Sequence, residues 1–560
     1  MRIKIPNSPK GLKGTLFTKL FSVEMNNFSV EMLLPSLFFL IESKGRKRKR
    51  KTDPTTIEKY LSDLRANQKI VGFDDTDGKR IFEKWARTSL IEVGKKGLKR
   101  TIDQILYLQP LTYMTLKPGF PSESSRLRNV HYFIYTLLLD ALTKKYHEPK
   151  KALLDIRSAL RTSFAEGVKG LPDIDAGVEI DGTYDEFTHL DIESLLSLRF
   201  MDVFPKSEIS TIKVAANNPV CQGQAERFMQ GFVKFIMVFK DRMPARELIY
   251  NLQALINFEL LIYTLKLVYG TNDLVKNSKI PKQFGFDEGY TQPYLYVDFG
   301  DSFKSFSRDI ARQCTSRDIQ ELSQFFNSNL YLKTLDLIVT DKQRFNINYE
   351  GSEPYEYLLN LLKLKEDIYV QTKADIFIDS IKGATTAKEE EEEVDLIISD
   401  FFQRCDSQYS NSLDRLVTIL DQAQRNGGGR KLFTWFRDVS GVTKEFGMVK
   451  GSIKNRNTWS YVMSNDLLWT LVHLAAIQPD NRDKDRPGRI RLVDFLDFLK
   501  KRYGILVKEV PLEFDSIDAN RAARENLFSL QRRLKQMGLF ENLSDDYEAQ
   551  YITPQYRSNR

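Results

Sequence analysis

Histidine and cysteine are scarce in this 560-residue sequence, which has four histidines and three cysteines. Cys221, Cys314 and Cys405 lie far apart without a CxxC pair, which argues against a disulfide framework or a zinc module and favours a reducing cytoplasm. Histidine-based catalysis has equally little to draw on, and His473 is expected on the exposed, polar face of its helix. The GxxxxGK(S/T), GxGxxG, GxSxG and HExxH motifs are also absent, so the sequence predicts no catalytic residue and no cofactor.

Long apolar runs are missing too. A membrane span needs roughly twenty apolar residues. The best candidate, residues 32–41, has only ten and contains Pro35. The heavy positive charge follows this run, which is the wrong side for a signal peptide. We therefore expect residues 32–41 to form a buried helix or strand, and we predict no membrane partner.

The positive charge of the chain is concentrated near its start. The net charge is +8, and residues 1–52 contain twelve Lys or Arg against three Glu, so the remainder is close to neutral. Mutual repulsion between six consecutive cations predicts an exposed loop that contacts phosphate, the alternative being a loop that is simply solvated. These cations are Arg46, Lys47, Arg48, Lys49, Arg50 and Lys51.

Apolar residues recur at helical spacing along most of the chain, which predicts a mainly α, multidomain helical protein with a C-terminal winged-helix-like module. We predict a basic N-terminal segment (1–52) that docks on the helical body, and a helical domain (53–270) whose last two helices lie in its core. A mixed α/β middle region (271–388) follows, with strands at residues 294–299 and 331–347. A helical linker (389–430) then leads to the winged-helix-like domain (431–560).

Residues 464–556 are the stretch on which the functional prediction depends. Ser464 is a good N-cap residue, a second apolar stripe ends at Gly504, and a third helix ends before Gly538. The third helix is basic, and residues 539–552 are predicted to form a two-stranded wing. A winged helix-turn-helix presents such a basic helix to the major groove. We therefore predict that Arg524, Arg532 and Arg533 approach DNA, although such modules also serve as protein docking units.

Basic and aromatic residues interleave between Arg430 and Tyr461. Lys450, Lys454 and Arg456 in this run are predicted to contact phosphate, since cations and stacked aromatic rings together grip nucleic acid. The alternative is that the aromatic rings belong to the core and the cations are solvated.

An acidic stretch, residues 173–193, permits a second hypothesis. Asp185 and His189 are four residues apart, so on one helix face they could share a divalent metal. With Asp181 they would form a metal-dependent nuclease site, whereas the simpler alternative is an acidic loop. We predict no metal-binding residues.

Several segments of the sequence resemble a known family. The C-terminal series SNDLLWTLVHLAAI, RLVDFLDFLKKRYGILV and LQRRLKQMGLFENLSDDYEAQYITPQY resembles accessory proteins of bacterial anti-phage defence islands. The words KGLKGTLFTKLFSVEM, FDDTDGKRIFEKWARTSLI and PSESSRLRNVHYF are similar to the methylation-associated defence type. The resemblance implies a subunit that works beside a methyltransferase, a nuclease and an ATPase.

The sequence thus favours a non-catalytic, DNA-binding or scaffolding component of a bacterial defence complex in the cytoplasm. The alternatives are the metal-dependent nuclease subunit and an adaptor that binds protein without touching nucleic acid.

Overall fold

The computed structural model describes residues 10–48, 71–92, 104–105, 125–169, 183–184, 209–281, 293–386, 392–479, 485–542 and 550–557, apart from short gaps within these ranges. The protein is mainly helical, which confirms the predicted fold class at this level. The described helices are α1 Leu33–Glu42, α2 Thr76–Ser89, α3 Val130–Lys145, α4 Pro149–Phe164, α5 Gln222–Phe239, α6 Ala245–Asn277, α7 Phe306–Ile338, α8 Pro354–Leu362, α9 Ile368–Thr386, α10 Glu392–Gln408, α11 Ser412–Gln424, α12 Arg430–Val439, α13 Asn465–Ala475, α14 Leu492–Tyr503 and α15 Ile517–Gln536.

The described strands are short and form small sheets. An antiparallel pair joins β1 Arg46–Arg48 to β6 Ile209–Lys213, and a parallel pair joins β7 Leu295–Tyr296 to β13 Ile505–Leu506. The hairpins are β2 Ile91–Glu92 with β3 Gln104–Ile105, β4 Val168–Lys169 with β5 Thr183–Tyr184, β8 Val449–Ser452 with β9 Asn455–Tyr461, and β10 Ile477–Pro479 with β11 Asp485–Pro487. One three-stranded sheet has the order β12 Ile490–Arg491, β15 Gln550–Ile552, β14 Phe540–Asn542.

Helix α6 lies at the centre of the core. It is buried on every side over most of its 33 residues and packs against α5, α7, α12 and α13. Among the described residues it is the one helix long and apolar enough to cross a membrane, and 94% of its apolar window is buried inside the protein. The prediction that the last two helices before residue 270 lie in the core is therefore confirmed by α5 and α6.

The N-terminal residues pack into this core. The ring of Phe21 stacks on Tyr263 of α6 at 5.6 Å between centroids, and Phe28 lies 5.4 Å from the Trp435 indole. Every residue of α1 is buried, so residues 32–41 do form a buried helix. Glu42 at the end of α1 is fully buried, and its carboxylate accepts hydrogen bonds from Arg157 at 2.6 Å and Arg161 at 2.8 Å. Docking of the basic N-terminal segment is confirmed for these residues.

The helices expected near the C-terminus form with the expected boundaries. The hydroxyl of Ser464 accepts a hydrogen bond from the Leu467 amide at the start of α13, and Gly504 ends α14 with a left-handed φ of 69°. Ser516 caps α15 in the same way, and Gly538 follows that helix with φ 70°. Strands β14 and β15 then pair antiparallel, as predicted, while the turn between them lies outside the described residues.

Two local predictions are wrong. In the stretch 331–347, expected as a strand, residues 331–338 belong to α7, which continues to Ile338, and the described part of 339–347 contains no strand. Lys333 and Thr334 are buried there along with the apolar residues, because α7 is covered on several sides by α6 and α11, and this hides the helical period. The middle region therefore consists of helices with one two-residue strand, β7, within its described part. The proposed division into domains stays a prediction.

The exposed loop predicted for Arg46 to Lys51 is also wrong in its described part. Arg46, Lys47 and Arg48 form strand β1, because β6 supplies a backbone partner that repulsion between the side chains does not prevent. Lys47 is half-buried, and its ammonium lies 4.7 Å from the centroid of the Tyr132 ring. Lys49, Arg50 and Lys51 lie outside the described residues.

Candidate nucleic-acid interface

The predicted site residues of the second half of the chain lie on two elements. Lys450, Lys454 and Arg456 belong to the β8–β9 hairpin, whereas Arg524, Arg532 and Arg533 belong to α15. The hairpin is held firmly against the core. Tyr461 at the end of β9 donates a hydrogen bond from its hydroxyl to Asp318 of α7 at 2.7 Å, and Trp459 donates from its indole nitrogen to the Ser452 carbonyl at 2.8 Å.

The tip of the hairpin faces the connection between α11 and α12. That connection, Arg425–Gly429, is a π-helical turn, so α11 and α12 follow one another without a loop. Between the turn, the hairpin tip and α7 lies an open pocket of about 450 Å³. Among the described residues that line this pocket none is acidic, and five are cations: Arg425, Arg430, Arg437, Lys454 and Arg456.

Two of these cations are neutralised by neighbouring carboxylates. Arg425 pairs with Asp421 at 2.7 Å, and Arg437 pairs with Asp438 at 2.6 Å. Within the described part of the chain, the side chains of Arg430, Lys454 and Arg456 form no ion pair. The Arg456 guanidinium instead lies over the Phe433 ring, 3.9 Å from its centroid. The pocket therefore keeps an excess of positive charge.

Most of the interleaved aromatic residues belong to the core. Trp435, Phe436, Trp459 and Tyr461 are at most 2% exposed, and the Phe436 and Trp459 rings stack at 6.2 Å between centroids. The alternative that these rings are core residues is thus confirmed for these four. Phe433 is only half-buried and is the ring that Arg456 covers.

Lys450 connects this pocket to α15. Its pKa is lowered by partial burial and then by the nearby guanidinium of Arg533. Arg533 is half-buried and donates a hydrogen bond to the Met463 carbonyl at 2.8 Å, with the Phe299 ring 5.6 Å from its guanidinium. Burial also lowers the pKa of Arg533. Arg533 is therefore engaged with the protein at the edge of α15, beside Lys450.

One buried amide sets the orientation of α15. Asn526 accepts a hydrogen bond from the Phe299 amide at 2.7 Å and donates to the carbonyls of Val297 at 2.8 Å and Val507 at 3.0 Å. These bonds reach the chain at the ends of β7 and β13. Because Asn526, Leu530 and Leu534 fix the inner face of α15, the opposite face must point away from the core.

That outer face is basic and partly apolar. It carries residues at helical spacing, and all of them are exposed: Ile517, Arg521, Arg524, Phe528, Arg532 and Lys535. Arg521 pairs with Asp518 at 2.7 Å, whereas Arg524 and Arg532 form no ion pair among the described residues. Phe528 is 63% exposed and lies one turn from each of these two arginines.

A sequence model of the methylation-associated defense system protein MAD7 family matches residues 10–556. The chain belongs to this family. It is therefore a component of a bacterial antiviral defence system that has further components, as the resemblance implied. No curated protein sequence matches the chain.

The hypothetical metal site of this family member, Asp181, Asp185 and His189, lies outside the described residues. Within the part of the chain that the structure describes, no group of three or more His, Cys, Asp or Glu side chains is placed to hold a metal ion. Histidine placement also brings one correction. His473, expected at the surface, is fully buried among the rings of Trp469, Phe239 and Tyr556, because α13 packs against α6 on its supposedly polar side.

Sequence reasoning missed three contributors to this surface. The position of Phe528 could have been predicted, since it is four residues from both Arg524 and Arg532 and therefore shares their face of the helix. Asn526 gives no such signal, because a polar residue at a core position is ordinarily counted against a helix. Arg425 lines the pocket because residues 425–429 form a π-helical turn, and a run of three glycines does not predict a helical turn from the sequence.

Proposed function

We propose that this protein is a non-catalytic, nucleic-acid-binding component of its defence system. It acts in the cytoplasm beside a methyltransferase, a nuclease and an ATPase, and it holds DNA through a winged-helix-like module formed by residues 464–557. Lys450, Lys454 and Arg456 extend the contact along the DNA backbone.

The order of elements supports the module. Helix α13, the β10–β11 hairpin, strand β12, helix α14, strand β13, helix α15 and strands β14 and β15 occur in this order, and β12 joins β14 and β15 in one sheet. A strand between the first two helices that pairs with the wing is the arrangement of a winged helix. The link from α14 to α15, residues 504–516, is longer than the three- to four-residue turn of a helix-turn-helix, because β13 pairs with β7 within it.

The observation that carries the proposal is the outer face of α15. Arg524 and Arg532 are exposed, free of ion pairs among the described residues, and two turns apart on the face that the anchored Asn526 turns outward. Arginines so placed can donate paired hydrogen bonds to phosphates or to guanine edges without first breaking a salt bridge. The acidic residues of this helix, Asp518 and Glu525, lie to one side of the arginine row.

The test is duplex DNA binding as a function of salt, measured by fluorescence anisotropy. We expect affinity to fall steeply with salt, and the Arg524→Gln/Arg532→Gln double variant to reduce the slope of log K against log salt by about 2. A control variant, Lys276→Gln/Arg404→Gln, removes two exposed cations elsewhere and should leave the slope unchanged. Salt-insensitive binding, or equal slopes for the two double variants, contradicts the proposal.

A second candidate function is supported by exposed apolar residues on the same module. Leu512 is 91% exposed, Ile517 89% and Phe528 63%, and side chains of this kind gather at protein interfaces. In this reading the module grips another component of the system. Co-purification with that component should then survive nuclease treatment and be lost in Phe528→Asp. Loss of the association on nuclease treatment alone would favour the DNA-bound function.

A further inference from the structure

The pocket between the α11–α12 turn and the tip of the β8–β9 hairpin differs from the outer face of α15 in shape. It is a recess of about 450 Å³ with α7 as its floor, whereas the face of α15 is a convex helix surface. We propose that this pocket binds the phosphate group of a single nucleotide, either at the end of a nucleic-acid strand or free in solution. The inference deepens the proposed function and, for a strand end, rests on it.

Charge defines the class of ligand. Five cations line the recess without a lining carboxylate, and Arg430, Lys454 and Arg456 have no ion-pair partner in the described structure. Like charges gathered around one cavity repel each other, so an anion that enters it relieves the repulsion as well as forming charge-assisted hydrogen bonds. Arginine pairs in particular suit the several oxygens of a phosphate.

Size selects a nucleotide over a continuous duplex. The volume falls within the roughly 300–1,000 Å³ typical of small-molecule sites, and a duplex is far wider than such a recess. A backbone passing over the surface can touch the exposed side chains at the rim, Lys454 and Arg456, without filling the recess. A terminal nucleotide or a free one can enter and reach Arg430 on the opposite wall.

The wall of the recess is partly organised before a ligand arrives. The Arg456 guanidinium lies over the Phe433 ring, which limits the conformations of this long side chain, so less entropy is lost when it binds phosphate. Trp459 also lines the pocket, with its indole N–H already donated to the Ser452 carbonyl. Apolar side chains of α7, Leu322 and Phe326, complete the floor and give a base or sugar an apolar surface.

The hairpin places this pocket next to the proposed DNA surface. Lys454 and Arg456 lie at its tip, and Lys450 on the same hairpin lies close enough to Arg533 of α15 for that guanidinium to lower the pKa of Lys450. A nucleic acid held by α15 can therefore bring its end toward the recess along a row of cations.

The experiment compares labelled oligonucleotides of one sequence that carry either a 5′-phosphate or a 5′-hydroxyl, using the full chain. We expect the phosphorylated strand to bind about tenfold more tightly, the size of effect of one charge-assisted hydrogen-bond set. The Arg430→Gln/Arg456→Gln variant should lose this preference. Lys431→Gln, an exposed cation on the same helix that does not line the pocket, should keep it.

Two further measurements distinguish a strand end from a free nucleotide, and the pocket proposal from the α15 proposal. Competition by a free nucleoside triphosphate, but not by the matching nucleoside, identifies a free nucleotide as a ligand of the same site. The Arg524→Gln/Arg532→Gln variant should bind both strands more weakly and still prefer the phosphorylated one, so failure at α15 is distinguishable from failure at the pocket. Unfolding midpoints equal to wild type establish that the exposed pocket substitutions leave the fold intact. Equal binding of both strands together with no competition by nucleotide overturns the inference.

Discussion

Burial of His473 makes the stability of the protein depend on pH in a specific way. Its Nδ1 lies 2.8 Å from the Trp469 carbonyl oxygen, which can only accept, so Nδ1 donates; Nε2 has no partner in the described structure. Burial lowers the pKa of His473 from 6.5 to about 4. No charged side chain contributes to this shift, so protonation would place an uncompensated charge among three aromatic rings.

The sign and size follow from the difference in pKa between the folded and unfolded states. The unfolded chain binds a proton near pH 6.5 and the folded chain only near pH 4, so this contribution to stability is complete above pH 6.5 and is lost progressively down to pH 4. A shift of this size corresponds to about 3 kcal/mol in total. Between pH 7 and pH 5 the loss due to His473 should be about 2 kcal/mol.

The assay is urea unfolding at pH 7 and pH 5, followed by tryptophan fluorescence, for the wild type and His473→Phe. The variant keeps an aromatic ring but cannot titrate, so it should lose about 2 kcal/mol less than the wild type between the two pH values. Exposed His147 serves as the matched control, since His147→Phe should change with pH as the wild type does. Equal pH dependence in the wild type and His473→Phe would refute the buried, neutral histidine and favour the surface position expected from the sequence.

Two more predictions concern buried groups. Asp318→Ala should reduce the free energy of unfolding by about 3–5 kcal/mol in urea titrations, because it leaves the buried hydroxyls of Tyr269 and Tyr461 without their acceptor and removes one of the two ion pairs of Arg317, which keeps Glu513; a loss below about 1 kcal/mol would contradict this. Burial raises the pKa of Cys221 and of Cys314 to about 12, so neither should react with iodoacetamide at pH 8 until the protein unfolds. Mass spectrometry of the native protein is the measurement, and an adduct at either residue would show that its thiol is accessible.

The parts of the fold that the sequence predicted correctly are those controlled by local chemistry. Ser464 and Ser516 cap their helices with side-chain oxygens, and Gly504 takes the left-handed conformation that few other residues tolerate. Each of these signals involves residues within one turn of one another, so one sequence suffices to find them. The pairing of β12 with β15 joins residues some sixty positions apart, and no local pattern encodes it.

Predictions failed where burial on several sides replaced the pattern of one buried face. The strand expected at residues 331–347 and the exposed position expected for His473 share this cause. Helix α7 at Leu332 and α13 at His473 both lie between other elements, so polar residues occur on faces that are nevertheless enclosed. The periodicity rule assumes that a helix has a solvent side. In a helix that has no solvent-exposed side, the spacing of the apolar residues does not show which faces contact other elements.

The exposure of the candidate cations could be predicted residue by residue, but not which of them share a surface. Lys454, Arg456, Arg524 and Arg532 are exposed as expected, since charged side chains rarely stay buried without partners. Whether cations share a surface depends on tertiary packing. Arg533 shows the difference: it is adjacent in sequence to Arg532, yet the helical repeat turns it toward the Met463 carbonyl.

The rigid hairpin gives the two proposed sites a fixed spacing, and this decides how they can cooperate. Strand β9 packs along α7 and is fastened by Tyr461 to Asp318, while Asn526 fastens α15 to the ends of β7 and β13. Because both surfaces are attached to one core, a ligand that reaches both gains from effective concentration without any change in conformation. Under the proposed function, an oligonucleotide too short to reach from α15 to the pocket should therefore bind at one site only. If it binds at α15, loss of Arg430 should leave its affinity unchanged. If it binds in the pocket, loss of Arg524 should leave its affinity unchanged.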